Sequence, residues 1–254
     1  MLIDSHAHIN PSEKINTDEI ISNMERDCLE YIVNIGTSVH ESEKAVEIAN
    51  NHKHIYATVG IHPEYTHELK EQSLLEIENL AKNKKVIAIG EIGLDYHYEG
   101  YDKDKQVELF VRQIQIAIEN DLPVCIHTRD AAEDTYNILK KYSDKLSRKG
   151  VMHCFSENSE WAKKFLELGF YISFAGNITF KKSDRSVLKI VPLDRILVET
   201  DCPYLSPEPL RGKFNQPKNV NLTAKMIADT LEMDYNYFSD ITRENTKRLF
   251  HKIK

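Results

Sequence analysis

Along this chain, short apolar runs alternate with longer stretches in which apolar and polar residues recur at helical spacing. The apolar runs fall at residues 2–6, 31–36, 55–60, 86–92, 123–127, 150–155, 171–175 and 195–200. Most are continuous rather than alternating, as in parallel strands covered on both faces. The stretches between them predict helices over 17–28, 40–50, 73–81, 104–120, 130–142 and 159–168. In the fourth of these, Val107, Phe110, Val111, Ile114, Ala117 and Ile118 mark one face. The segment after the seventh run, 181–191, is short, and two helices close the chain at 219–231 and 235–250. Eight strands alternating with helices, joined by right-handed crossovers, predict a single-domain α/β fold, a closed (β/α)8 TIM barrel. An open doubly wound sheet would want a glycine-rich phosphate turn after its first strand, and none is present. Residues 205–219, with Pro207, Pro209, Gly212 and Pro217, read as a long loop after strand eight. Loops of that length in compact domains often carry function.

The length of 254 residues is the usual size of one such barrel. Hydrophobic content of 41% and charged content of 29% fit a soluble globular chain. The net charge of −7 argues against broad electrostatic wrapping of DNA. It leaves room for a local phosphate site whose metals supply positive charge. Cys28, Cys125, Cys154 and Cys202 form no CxxC pair, which excludes a zinc ribbon or a thioredoxin-like motif. Cys125 and Cys154 lie in apolar runs and read as small buried hydrophobes. A disulfide framework is not expected, and a cytoplasmic location is. No apolar run reaches about 18 residues, and the chain opens directly on its first strand. Neither a membrane span nor a signal peptide is therefore expected, and a monomer is.

In such a barrel, functional groups emerge from the C-terminal ends of the strands. The first run ends in His6 and reaches His8. Side chains at i and i+2 of a strand point the same way, so this pair can share a metal ion. In a helix the two would diverge by about 200°. The fourth run ends in Gly90-Glu91-Ile92-Gly93-Leu94-Asp95 and the fifth in Cys125-Ile126-His127-Thr128-Arg129-Asp130. The sixth ends in Met152-His153-Cys154-Phe155 and the eighth in Glu199-Thr200-Asp201-Cys202-Pro203. Five strand ends thus deliver four histidines and two carboxylates, Glu91 and Asp201, to one mouth. Taken singly, each has an ordinary reading as a rim or capping residue. Taken together, they would be costly to bury without a partner, and a metal site resolves that cost. The nitrogen and oxygen donors suit Zn²⁺, Mn²⁺, Mg²⁺ or Fe²⁺ and do not choose among them. Six ligands exceed what one tetrahedral ion needs, and a carboxylate such as Glu91 can bridge two ions. The pattern implies two divalent metal ions with a water between them.

The chain resembles the TatD-like metal-dependent deoxyribonucleases, a branch of the amidohydrolase-type barrel hydrolases. The stretches that carry the resemblance are Asp-Ser-His-Ala-His (4–8), Gly-Ile-His-Pro (60–63), Gly-Glu-Ile-Gly-Leu-Asp-Tyr (90–96) and Ile-His-Thr-Arg (126–129). His-Cys-Phe-Ser (153–156), Ser-Phe-Ala-Gly (173–176) and Glu-Thr-Asp-Cys-Pro-Tyr-Leu (199–205) continue it in the family's order. The resemblance implies that His6, His8, Glu91 and Asp201 hold a first metal, and Glu91, His127 and His153 a second. It further implies that Asp201 orients or deprotonates the attacking water. The implied activity is phosphodiester hydrolysis of DNA, from an end. The loop Arg211-Gly212-Lys213-Phe214-Asn215-Gln216-Pro217 departs from the family pattern. Phe214 stands where a basic residue is common, Gln216 where an acid is, and Cys202 where a small residue such as Ala is.

Glu199 precedes Asp201 by two and Asp4 precedes His6 by two, so each acid could support a ligand from one layer below, or be a buried structural acid. His62, Arg129 and Arg211 are the candidate substrate-binding residues, since arginine holds phosphate with a fork of donors. His62 could bind phosphate when protonated or hydrogen-bond within the rim. His40, His52, His54, His67, His97 and His251 read as solvated. Phe155, Phe174 and Tyr204 could stack on a base, although packing is the commoner role. An acidic protein with a concave metal mouth suits the end of a single DNA strand better than a duplex. The alternative is a small-molecule hydrolase cleaving an ester, lactone or amide with the same metal chemistry. A binding protein with a vestigial site is a third reading, disfavoured by the complete ligand set.

Overall fold

The computed structural model describes residues 1–254, the side chain of Glu68 excepted. Its strands are β1 (Leu2–Ala7), β2 (Leu29–Ile35), β3 (Ile55–Val59), β4 (Val86–Asp95), β5 (Val124–Arg129), β6 (Gly150–Met152), β7 (Tyr171–Phe174) and β8 (Ile196–Val198). They lie side by side in chain order, every pair parallel. The circle closes between β1 and β8 through a bridge of Ala7 to Cys202. At that seam the His8 N–H donates to the Cys202 carbonyl (2.8 Å) and the Asp201 N–H to the His6 carbonyl (2.9 Å). The seam therefore lies at the C-terminal mouth, among the candidate ligands themselves.

Six helices follow the first six strands: α1 (Thr17–Ser22), α2 (Val39–Asn51), α3 (Glu71–Ala81), α4 (Lys103–Glu119), α5 (Ala132–Tyr142) and α6 (Ser159–Glu167). Two more, α7 (Val220–Thr230) and α8 (Tyr235–Leu249), follow β8. Local sequence explains where several of them start. Asp102 accepts from the Lys105 N–H ahead of α4, and Asn158 accepts from the Glu160 and Trp161 N–H groups ahead of α6. Leu109, Phe110, Ile114 and Ala117 then bury one face of α4 against the barrel. Each large apolar side chain so buried contributes about 1.5–3 kcal/mol. The core has two shells. One lies between strands and helices and includes Ile32, Val59, Ile89 and Phe165. The other fills the barrel interior with Ile3, Val33, Ile87, Cys125, Val151 and Leu197.

The expected strands are all present, with shifted ends. β4 runs on to Asp95 rather than stopping at 92, because Gly93 carries the strand through a φ of +148°. A β-carbon there would collide with the His127 carbonyl oxygen, so only glycine lets β4 and β5 approach. β6 ends at Met152, just before Cys154 turns left-handed, and β8 at Val198, before Asp201 does the same. α1 ends at Ser22 instead of 28, because the chain turns at Asn23 and tucks Met24 into the core. Between β7 and β8 the short expected helix is replaced by 3₁₀ turns at Gly176–Thr179, Arg185–Lys189 and Leu193–Arg195. In the middle turn only Val187 and Leu188 are buried, too few to hold a longer amphipathic helix.

Candidate metal centre

Every candidate ligand lies in, or just past, the C-terminal half of a strand, at one mouth of the barrel. Glu91 stands at its middle. Its Oε2 faces His6 Nε2 at 3.4 Å and His8 Nε2 at 3.8 Å. Its Oε1 faces His127 Nδ1 at 2.9 Å, His153 Nε2 at 2.8 Å and His62 Nε2 at 3.5 Å. Asp201 Oδ1 completes the first group, 3.7 Å from His6 Nε2 and 3.4 Å from His8 Nε2. One carboxylate thus presents a separate oxygen to each of two histidine clusters. The His6 and His153 rings stack between them at 3.9 Å.

The residues fit a divalent cation. His6 Nε2 is buried and makes no hydrogen bond among the described residues. A buried polar atom left without a partner is costly, and a cation at that point would satisfy it. Groups of three donors lie within 4.8 Å of one another in His6, His8 and Glu91, in His6, His153 and Asp201, and in His62, Glu91 and His127. The imidazole and carboxylate donors match the borderline divalent metals.

A further layer orients the imidazoles. Asp95 Oδ2 meets His127 Nε2 at 2.9 Å, leaving Nδ1 toward Glu91. Glu199 Oε1 lies 3.3 Å from His153 Nδ1 and accepts the Cys154 N–H at 2.7 Å, leaving Nε2 inward. His6 Nδ1 meets Cys125 Sγ at 3.3 Å. Such contacts fix the tautomer and raise ligand basicity. Glu199 supports an imidazole, as its spacing suggests, whereas Asp4 does not. The Asp4 carboxylate accepts from the Thr200 N–H (2.9 Å) and the Thr200 hydroxyl (2.6 Å), so it pins β8 to β1. Burial pushes its pKa up to about 8.

Charge is strongly coupled across this cluster. Burial opposes a proton on His127, but hydrogen bonds to Asp95 and Glu91 outweigh it and raise the pKa. Burial likewise opposes charge on His8 and His153, and Asp201, Glu91 and Glu199 reverse the balance. Burial works against ionised Glu91, yet the surrounding histidines hold it well below the usual carboxylate range. His62 goes the other way, with burial driving it down to about 3. Its Nδ1 accepts the Glu64 N–H, so it is a neutral ring with Nε2 turned toward Glu91.

The profile of the TatD-related DNase family matches residues 3–251. The chain belongs to this family. It is 43% identical over 254 residues to an uncharacterised metal-dependent hydrolase, YabD, of Bacillus subtilis, covering 98% of this chain and 99% of that one. It is 36% identical over 257 residues to another, YcfH of Escherichia coli K12, covering 98% and 96%. The crystal structure of YjjV, a TatD homologue of E. coli K12, superimposes with a TM-score of 0.93 at 27% identity, covering 98% of each chain. The protein is thus a metal-dependent hydrolase of the TatD family.

The mouth of this TatD barrel is a cleft of about 760 Å³. Of the candidate substrate residues, His62 and Arg129 line it. Arg211 does not, because its guanidinium lies over the Phe180 ring at 4.3 Å. Phe155 and Phe174 are buried in the core and present no face for stacking. Tyr204 lines the cleft and is 62% exposed. Tyr65 and Tyr98 line it too, exposed, although nothing in the sequence pattern marks them. Nor does the pattern mark Asp95 as a partner of His127. Its signal is the two-residue spacing of positions 91, 93 and 95, hidden by the glycine at 93. The strained backbone of Asp201 (φ 54°) is held from several sides. Its carbonyl accepts the Tyr204 N–H (3.0 Å), and Asn215 Nδ2 donates to the Thr200 (3.0 Å) and Tyr204 (2.6 Å) carbonyls. No helix among the described residues is long and apolar enough to cross a membrane.

Proposed function

We propose that this protein is a deoxyribonuclease that hydrolyses phosphodiester bonds from an end of a DNA strand at a centre of two divalent metal ions. The observation that carries this reading is the split carboxylate of Glu91, one oxygen toward His6 and His8, the other toward His127 and His153. In this reading His6, His8, Glu91 and Asp201 would hold one ion, and Glu91, His127 and His153 would hold the other. When bound, the ions would lower the pKa of an attacking water and neutralise charge on the phosphoryl oxygens.

The chain's own groups supply the rest. Asp201, at the edge of the cleft, orients the attacking water and takes its proton. Arg129, two residues past His127, donates to a non-bridging phosphoryl oxygen. Neutral His62 offers an Nε2–H to the same region. Arg211 stays outside this group, held on Phe180. The family supports DNA as the substrate. The narrow supply of positive charge supports a strand end over a wrapped duplex.

The test is hydrolysis of end-labelled single-stranded DNA by purified protein with Mg²⁺, Mn²⁺ or Zn²⁺, beside a panel of esters, lactones and amides. Progressive release of mononucleotides is expected. His127→Ala and Asp201→Ala are each expected to lower it by about a hundredfold or more. Turnover of an ester, lactone or amide with DNA left intact would overturn the reading.

A further inference from the structure

The lining of the cleft is unusual for a site that must hold a polyanion. It carries five carboxylates, Glu41, Glu64, Glu91, Asp95 and Asp201, and among the described residues Arg129 is its one lysine or arginine side chain. Two metal ions and Arg129 can hold the phosphate under attack. Little positive charge is then left for the phosphates on either side. What the cleft does offer is aromatic surface. Tyr98 and Tyr204 are 57% and 62% exposed, and Tyr65 is 37% exposed.

Large aromatic side chains left open to water at the rim of a cleft are poised for a ligand. These rings stand at two corners of the histidine and carboxylate cluster. Tyr204 lies beside His8, ring centres 6.1 Å apart. Tyr98 lies under Arg129, whose guanidinium is 5.1 Å from the ring centre and whose Nη1 donates to the tyrosine oxygen at 3.4 Å. Arg129 thereby joins the reacting phosphate to one of the two aromatic shelves.

Resting on the DNA reading above, we infer that Tyr98 and Tyr204 are stacking platforms for the unpaired bases on either side of the reacting phosphate. Base stacking, not phosphate charge, supplies most of the affinity and selects a single-stranded end. A paired duplex buries all but its terminal base faces in its own stack and cannot splay successive bases onto both rings. Every base has a π-face, so the site is tolerant of sequence. Tyr65, on the 3₁₀ turn at Pro63–Glu68, borders the Tyr204 side.

The experiment compares two single-stranded oligonucleotides on the metal-loaded enzyme. One is a mixed sequence; the other has the same length with abasic sugars at its terminal three positions. Wild type is expected to favour the base-bearing end by about a hundredfold in kcat/KM. Tyr98→Ala and Tyr204→Ala should each cut that ratio by about tenfold, mainly through KM, while Tyr98→Phe and Tyr204→Phe keep it. The logarithm of KM for the base-bearing strand should change with the logarithm of salt concentration with a slope of about 1.5 or less, the mark of one or two phosphates. Equal rates on the two oligonucleotides, or an unchanged ratio in both alanine variants, would overturn the inference while DNA hydrolysis stands. A slope of about 4 or more would also overturn it, since it shows phosphate contacts in charge. Failure of wild type to cleave either oligonucleotide would overturn the DNA reading and this inference with it.

Discussion

At the scale of single residues, the chemistry is concentrated in histidines whose roles are set by what stands behind them. His127 and His153 are each backed by a carboxylate, Asp95 and Glu199, while His6 Nδ1 is backed by the Cys125 thiol. Removing such support without removing the ligand isolates its contribution. Asp95→Asn keeps the shape and the contact but loses the charge. It is expected to weaken metal binding by about 10–100-fold, read by competition with a chromogenic chelator, with little change in the fold. Unchanged affinity would show that the ring is held by packing alone. The clustering of the candidate ligands is legible in the sequence, because strand periodicity places i and i+2 on one face and the barrel places strand ends in one mouth. Asp95 is not, because a glycine interrupts the run before it. The tyrosines are not, because an exposed aromatic in a loop carries no periodic signal.

At the scale of elements, β4 is the one whose details matter most. It holds Glu91 and Asp95, and it reaches both only because Gly93 brings it against β5. Gly93→Ala would put a methyl group into the His127 carbonyl and force an L-residue into a φ of +148°. The expected cost is about 2–5 kcal/mol. Thermal unfolding should show a Tm lower by several degrees, together with loss of metal. A variant that melts and binds metal like wild type would contradict this account of the strand. Sequence pattern identifies the strands well, since a short, continuous apolar run between turn residues suits a strand buried on both faces and little else. It places their ends less well, because those ends depend on backbone conformations, extended through Gly93 and left-handed at Cys154 and Asp201, that neighbouring strands impose. Position 154 and position 201 are residues that any pattern would accept in an extended strand. The turns that replace a helix between β7 and β8 have the same origin, a segment with too little apolar surface to decide its own shape.

At the scale of the whole molecule, the mouth links protons, metal and stability. The surrounding carboxylates raise the pKa values of His8, His127 and His153, so each keeps its proton to higher pH than a free imidazole, and a cation must compete with that proton. Metal affinity should therefore rise with pH and level off once these rings are neutral. Calorimetry in two buffers of different ionisation enthalpy should show protons released on binding; heats that do not depend on the buffer would contradict it. The sign for stability is the opposite. A histidine whose folded pKa exceeds its unfolded value, about 6.5, contributes stability fully present below that pH and lost as pH climbs through the folded pKa. The metal-free protein should weaken toward alkaline pH in that window, and the loaded protein should not.

The closure of the barrel has a consequence of its own. Ala7 and Cys202 touch, yet strands β2 to β8 all lie between them in the chain. A cation held jointly by His6, His8 and Asp201 would fasten that long loop much as a cross-link does, and the entropy of closing so large a ring makes the fastening count. The hydrolytic centre would then double as a clasp. Amide hydrogen exchange at Ala7, His8, Asp201 and Cys202 should slow on adding metal far more than exchange in β5 or β6. If it does, a chelator would open the molecule along one known line, and activity and ring closure would be lost in the same event.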